Sequence, residues 1–234
     1  MTRDEHKRVA AEAALEYVTP GTIIGVGTGS TADFFIAALA AQPSLVAAAV
    51  ASSEASASAL RAAGIPVVGL AEAPSLPLYV DGADEVDPRL RLIKGAGGAL
   101  AREKVVASAA ALFVCIVDET KLVERLGRGP RDPSGARGSP AAVPVPLAVL
   151  PMAAAFVAER VRALGGDPAT RPDYLTDDGA LVLDIAGLDL SDPGRLEAEL
   201  EAIPGVVACG VFARRRADVV LVGEADGVRE LRPA

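Results

Sequence analysis

A chain of 234 residues, half of it apolar, is long enough to bury a core as one or two domains and too apolar to stay disordered. Its formal charge of −8 argues against a nucleic-acid surface or an anionic membrane, so any anion it binds must be met by local donors. The first residues are polar and charged, and no run reaches the ~18 apolar residues of a membrane span, so the expected location is the cytoplasm.

The apolar spacing predicts a helix over 4–18, stopped by Pro20-Gly21. A strand over 22–26 leads into a helix over 31–41, and a strand over 45–51 into a helix over 54–63 ended by Gly64. Short strands follow at 67–70, 78–80 and 90–93, then a helix from 99 to 111 and a continuous apolar strand over 112–117. This alternation predicts a doubly wound parallel sheet with crossover helices. Residues 127–140, dense in Gly, Pro and Arg, read as a flexible loop. Beyond it the pattern is strand 143–149, helix 152–164, strands 173–176 and 181–185 joined across Asp177-Asp178-Gly179, helix 195–203 and strand 206–212. That β-α-β-β-α-β order is the ferredoxin-like split motif. A strand over 218–222 and a short terminal helix complete the first sheet. The expected class is α/β, a Rossmann-like doubly wound sheet with a smaller ferredoxin-like α+β lid domain. Its expected boundaries are 1–127, completed by 213–234, and 128–212.

Three loops carry the chemistry, each expected to follow a strand end, where an open α/β sheet binds its ligands. In the first, Gly25 and Gly27 begin a dinucleotide fingerprint, but Ser30 stands in the third glycine slot and no lysine precedes Ser30-Thr31. What remains is a glycine turn at a helix start with three hydroxyls, Thr28, Ser30 and Thr31. It reads either as a phosphate seat or as a tight turn with a serine cap. Glu54 lies near the distance of a ribose-binding acid, which keeps a nucleotide cofactor open. The second loop places Asp81 and Asp84 at i and i+3, with Glu85 and Asp87 behind them. Such carboxylates hydrogen-bond sugar hydroxyls, move protons, hold a magnesium ion or merely cap a turn. The third runs from Lys94 through three glycines to Glu103, which shares a helical face with Val106, Ala107 and Ala110. Desolvation on that face strengthens Glu103 as a base, while the helix start opposes it.

Only four of the 23 basic residues are lysines, so Lys7, Lys94, Lys104 and Lys121 mark places where a compact ammonium is favoured over a guanidinium. Asp118-Glu119-Thr120-Lys121 follows the 112–117 strand and is expected to start another helix, which places Lys121 at the edge of the same crevice. Cys115 and Cys209 sit in apolar surroundings and read as buried reduced thiols. With one histidine, His6, expected on a helix surface, a zinc site has almost no ligands.

These stretches, in this order, closely resemble the type A ribose-5-phosphate isomerase family. The match includes Gly-Thr-Ile-Ile-Gly-Val-Gly-Thr-Gly-Ser-Thr (21–31), Tyr-Val-Asp-Gly-Ala-Asp-Glu (79–85) and Leu-Ile-Lys-Gly-Ala-Gly-Gly-Ala-Leu-Ala-Arg-Glu-Lys (92–104). The resemblance implies an aldose-ketose isomerase of the non-oxidative pentose phosphate pathway, acting on D-ribose 5-phosphate and D-ribulose 5-phosphate without metal or other cofactor, as a homodimer or homotetramer. It implies substrate contacts from Thr28, Gly29, Ser30, Thr31, Asp81, Gly82, Ala83, Asp84, Lys94, Gly95, Ala96, Gly97, Lys121 and Lys7. Glu103 would carry the proton between C2 and C1, Lys94 would stabilise the enediolate, Asp81 would assist ring opening and Asp84 would orient a hydroxyl, the last two roles being interchangeable. The chain departs from the family at Ala96, usually glycine, at Ala148, usually acidic, and in a longer 127–140 loop. Two other readings are a sugar-phosphate-sensing regulator, marked by binding without turnover, and a nucleotide-dependent enzyme, marked by binding of NAD or NADP.

Overall fold

The structure, a computed structural model, describes residues 1–127 and 143–233. In chain order its elements are α1 (Arg3–Ala13), β1 (Ile23–Val26), α2 (Ser30–Ala40), β2 (Ala48–Ala51), α3 (Glu54–Ala62), β3 (Leu76–Asp81), β4 (Glu85–Val86) and β5 (Leu92–Ile93). Then come α4 (Leu100–Ala109), β6 (Ala110–Asp118), β7 (Val145–Val149), α5 (Ala154–Ala163), β8 (Asp167–Thr170), β9 (Leu181–Ala186), α6 (Pro193–Glu201), β10 (Val206–Cys209), β11 (Val211–Phe212), β12 (Val219–Glu224) and β13 (Gly227–Leu231). Two compact units result: Met1–Ala83 with Arg102–Glu119 and Ala217–Ala234, and Asp84–Ala101 with Thr120–Arg216.

The first unit holds a six-stranded sheet in the order β13-β12-β6-β3-β1-β2, parallel except for the β12–β13 hairpin. The order reverses between β1 and β3, and ligands bind beyond the carboxyl ends of strands at such a switch point. Alternate residues of four strands (Ile24 and Val26, Leu78 and Val80, Val114 and Ile116, Val219 and Leu221) share one face. Ala10 and Ala11 of α1, Phe35, Ile36 and Leu39 of α2, and Leu60 of α3 close the core over it. Each fully buried Phe or Leu there contributes about 1.5–3 kcal/mol. On the opposite face Gly25 is in register with Tyr79. The buried Tyr79 ring lies 5.0 Å from Phe113, and a Cβ on Gly25 would stand 2.7 Å from both Tyr79 Cδ2 and Val106 Cγ1 of α4.

The second unit contains an antiparallel sheet in the order β10-β7-β9-β8, crossed by α5 and α6, which is the expected split motif. Leu147, Val149, Val157, Val161, Leu183, Ile185 and Leu200 form its core. A separate three-stranded antiparallel sheet, β11-β5-β4, carries the segment that ends at Lys94. The third loop therefore does not leave a strand of the parallel sheet, as the alternation predicted.

Other expectations are corrected locally. The predicted terminal helix is strand β13, because Gly227 at φ +127 turns the chain back along β12. The strand expected at 173–176 is absent, with Asp173 at φ +50; its place is taken by β8, an edge strand that tolerates Pro168. The 206–212 run divides at Gly210 into strands of two sheets, where a Cβ would collide with the Lys94 carbonyl and stand 2.6 Å from Pro146 Cδ. At 67–70 only one bridge forms, Ala49 with Val67. Lys121 ends a 3-10 turn, Glu119–Lys121, instead of starting a helix. His6, expected at the surface, is buried, with Nδ1 4.0 Å from Glu119 Oε1. Cys115 and Cys209 are free and buried, as expected. All of the 127–140 loop after Gly127 lies outside the described residues.

Gly25→Ala, which forces a methyl between Tyr79 and Val106, is expected to cost about 1–3 kcal/mol, read as a lower urea midpoint at unchanged slope. An unchanged midpoint would contradict this packing. Burial holds the Tyr79 phenol well above its ordinary value, helped by the charges of Asp81 and Glu103 and by the bond to Asp81. The unfolded chain loses that proton near pH ~10, so Tyr79 stabilises the fold fully below that pH and progressively less as pH rises toward the folded value. Urea unfolding from about pH 9 to about pH 12 should therefore show a stability loss that is shallower in Tyr79→Phe. Parallel losses in the two proteins would contradict the assignment.

Candidate active site

The first loop leaves β1 at Val26 and enters α2 through Gly29, which is the N-cap at φ +101 and makes no side-chain cap. The serine cap considered from the sequence does not form, since Ser30 is already the first helical residue. Lys7 Nζ lies 3.1 Å from Ser30 Oγ and 3.2 Å from Asp4 Oδ1. A helix start without a capping side chain, with an ammonium beside its first hydroxyl, is suited to a phosphate.

Thr28 serves a different partner. Its N–H donates to Asp81 Oδ1 at 3.0 Å, and its hydroxyl lies 3.0 Å from Ser52 Oγ and 3.2 Å from Ser56 Oγ. A Cβ on Gly27 would overlap the Asp81 carboxyl, so this glycine is required by close approach. Asp81 has no exposed surface. Gly82 N also donates to its Oδ1, at 2.7 Å, and the Tyr79 hydroxyl donates to its Oδ2. Glu103 lies on the first turn of α4 and is 4% exposed, so a substrate proton would meet a largely desolvated carboxylate. Val106 and Ala107 of the expected apolar face are buried beside it, whereas Ala110, expected on the same helix, already belongs to β6.

In the second unit the acidic run divides by role. Asp87 accepts Arg89 N and Arg91 N at 2.9 Å each and Arg91 Nε at 2.6 Å, while Glu85 accepts Gly127 N at 2.5 Å. Both are buried and structural. Asp84 is half-buried, and its Oδ2 accepts Ala96 N at 2.9 Å. Lys94 is buried, with Nζ 5.7 Å from the centre of the Phe212 ring. The glycine loop turns at Gly95 (φ +103) and Gly98 (φ +81). Arg171 Nη1 holds the Ala96 carbonyl at 3.0 Å, and the Tyr174 hydroxyl holds that of Gly97 at 2.8 Å. Arg171 is itself fixed by a two-point pair with Asp184 at 2.9 and 2.7 Å. Lys121 is half-buried at the end of its 3-10 turn.

The structure thus gathers Thr28, Asp81 and Glu103 around Tyr79 in the first unit, and Asp84, Ala96 and Gly97 around Arg171 and Tyr174 in the second. Sequence reasoning missed Ser52, Tyr79, Arg171 and Tyr174. Tyr79 carried a faint signal, as one of three tyrosines in the chain and two residues before Asp81. Arg171 carried none, since its loop partner is 75 residues away. Glu54, considered for a ribose, pairs with Arg102 at 2.9 Å. Among the described residues, Glu197, Glu201 and Cys209 are grouped closely enough for a metal. Glu197 Oε2, however, already accepts Ala213 N and Arg214 N, at 2.9 and 2.7 Å.

The sequence profile of ribose 5-phosphate isomerase A (phosphoriboisomerase A) matches residues 48–227. A ribose-5-phosphate isomerase A of Acidithiobacillus ferrooxidans is 50% identical over 230 residues, spanning 98% of this chain and 99% of the relative. One of Bordetella bronchiseptica is 50% identical over 235 residues, spanning 99% and 98%. The crystal structure of ribose 5 phosphate isomerase A from Neisseria gonorrhoeae superposes with a TM-score of 0.92 at 42% identity, covering 100% of this chain and 98% of that one. A D-ribose-5-phosphate isomerase in complex with phospho-erythronic acid does so at 0.89 and 34% identity, covering 99% and 100%. With the fold, the loop order and near full-length identity in agreement, the chain belongs to the ribose 5-phosphate isomerase A family.

Proposed function

We propose that this chain interconverts D-ribose 5-phosphate and D-ribulose 5-phosphate by moving one proton between C2 and C1 through an enediolate, with the residue roles set out below. The observation that carries the reading is a phosphate seat at Gly29-Ser30-Thr31 and a desolvated carboxylate, Glu103, within one unit of a chain half identical to named isomerases. A relative that binds phospho-erythronic acid supports it, because that ligand combines a phosphate with negative charge at the carbon end.

The α2 amides, Ser30, Thr31 and Lys7 receive the phosphate, so the sugar is held by the part that does not react. Glu103 removes the proton from C2, negative charge moves onto O1, a proton passes from the C2 hydroxyl to O1, and the same carboxyl returns its own proton to C1, leaving the carbonyl at C2. Lys94, a fixed ammonium, stabilises that oxygen more strongly in the enediolate than in the neutral sugar. We assign the two aspartates by their exposure, which reverses the expected order. Asp84 has accessible surface and opens the ring by passing a proton, whereas Asp81, fully enclosed by three donors, anchors the loop through Thr28 and Gly82. Gly82, Ala83, Gly95, Ala96 and Gly97 shape the backbone along the sugar, and Lys121 contacts a hydroxyl or the phosphate. No step uses a metal or a redox cofactor. The reading includes a cytoplasmic homodimer or homotetramer, for which the exposed Leu150, Met152, Phe156 and Val207 offer apolar surface.

With turnover followed in EDTA, Glu103→Gln is expected to lower kcat by about three or more orders of magnitude with KM little changed, as loss of the proton carrier requires. Near-normal turnover of that variant would remove Glu103 as the base, and activity that vanished with EDTA and returned with magnesium would remove the metal-free route.

A further inference from the structure

Beneath the first loop, four residues are linked around one carboxyl. The Tyr79 hydroxyl donates to Asp81 Oδ2, Thr28 N donates to Asp81 Oδ1 at 3.0 Å, Thr28 Oγ1 lies 3.0 Å from Ser52 Oγ, and the Ser52 hydroxyl is placed beside the Tyr79 phenol. Ser56 gives its hydrogen to the Gly27 carbonyl at 2.7 Å and lies 3.2 Å from Thr28 Oγ1, so hydroxyls line the inner side of the loop. Tyr79 and Asp81 have no exposed surface, and Ser52 has none either.

We propose that Tyr79 is a positioning residue of the isomerisation: through its bond to Asp81 it fixes the phosphate loop against Gly82 and Ala83, and so fixes where the sugar leaves the held phosphate. Asp81 is the shared acceptor of Thr28 N on one segment and Gly82 N on the other. Loss of the phenol donor loosens the carboxyl that the two segments share. The phosphate still binds at the α2 amides and Lys7, but the sugar it carries is no longer held at one place. The phenol is suited to this task because burial, Asp81 and the Glu103 charge keep it protonated, a donor under all working conditions. The inference rests on the anchoring role given to Asp81 above.

The test is a double-mutant cycle of Tyr79→Phe and Asp81→Asn, with kcat and KM on ribose 5-phosphate, inhibition by inorganic phosphate, and circular dichroism to verify folding. Tyr79→Phe should lower kcat about tenfold to a hundredfold, with KM and phosphate inhibition changed less than about twofold, because the ground-state grip on the phosphate survives. In the Asp81→Asn background the same change should add less than about twofold. Losses that multiply, or a normal kcat in Tyr79→Phe, overturn the inference while leaving the isomerase reading intact. Normal turnover of Asp81→Asn instead overturns the role given to Asp81, and this inference with it. If Tyr79→Phe does not fold, Ser52→Ala, which removes the bond on the other side of the phenol, must show the same split between kcat and KM. A normal kcat in Ser52→Ala then overturns the proposal.

Discussion

The close approach of β1 to β3 is the constraint on which the first unit depends. Gly25 and Gly27 lie beside Tyr79 and Asp81, and neither position has room for a methyl group. The vacated space admits a buried phenol and a buried carboxylate in line, on the sheet face that α4 covers with Val106. Glu103 rises from the same helix one turn earlier. A glycine pattern that invites comparison with nucleotide-binding loops therefore has a different cause here. Two of its glycines seat side chains of the next strand, and only Gly29, at φ +101, shapes the turn into α2.

Carboxylates that hold backbone amides recur through the molecule. Asp81 takes Thr28 and Gly82, Asp84 takes Ala96, Asp87 takes Arg89 and Arg91, and Glu197 takes Ala213 and Arg214. A buried carboxylate is costly unless its oxygens are met by donors, and loop amides supply those donors while becoming ordered themselves. The acidic excess of the chain is in part spent in this way, on loops with little apolar surface to bury. The glycine loop shows the converse, carbonyls held by Arg171 and Tyr174. Its flexibility is removed by partners distant in sequence, which allows Gly95 and Gly98 to keep the conformations that only glycine adopts easily.

The parallel sheet, the split motif and the three loops were legible in the sequence because each follows from local periodicity or from a short spacing. Asp81, Asp84, Lys94 and Glu103 stood out as charged groups in glycine-rich surroundings. What sequence could not convey was which carboxylates are occupied. Asp81, Glu85 and Asp87 look like Asp84 in the sequence, yet all three are buried and Asp84 alone of the four keeps accessible surface. The small β11-β5-β4 sheet escaped notice because its strands are two residues long and β11 pairs with β5 across more than a hundred positions. β13 was misread as a helix because its polar alternation marks an exposed edge strand as well as a helix end. Tyr79 was hidden by its type, since a tyrosine in an apolar strand reads as core until its hydroxyl is traced.

The account makes one enclosed carboxylate, Glu103, carry a proton from C2 to C1, on a sugar held by its phosphate. The most direct test is conversion of ribose 5-phosphate labelled with deuterium at C2, in ordinary water, with the product analysed by mass and position of label. A carboxyl that takes the label can exchange it before returning it, so the account predicts that part of the label is lost to water and the remainder is found at C1. Complete retention at C1, with no loss under any condition, is the mark of a hydride shift and would contradict it.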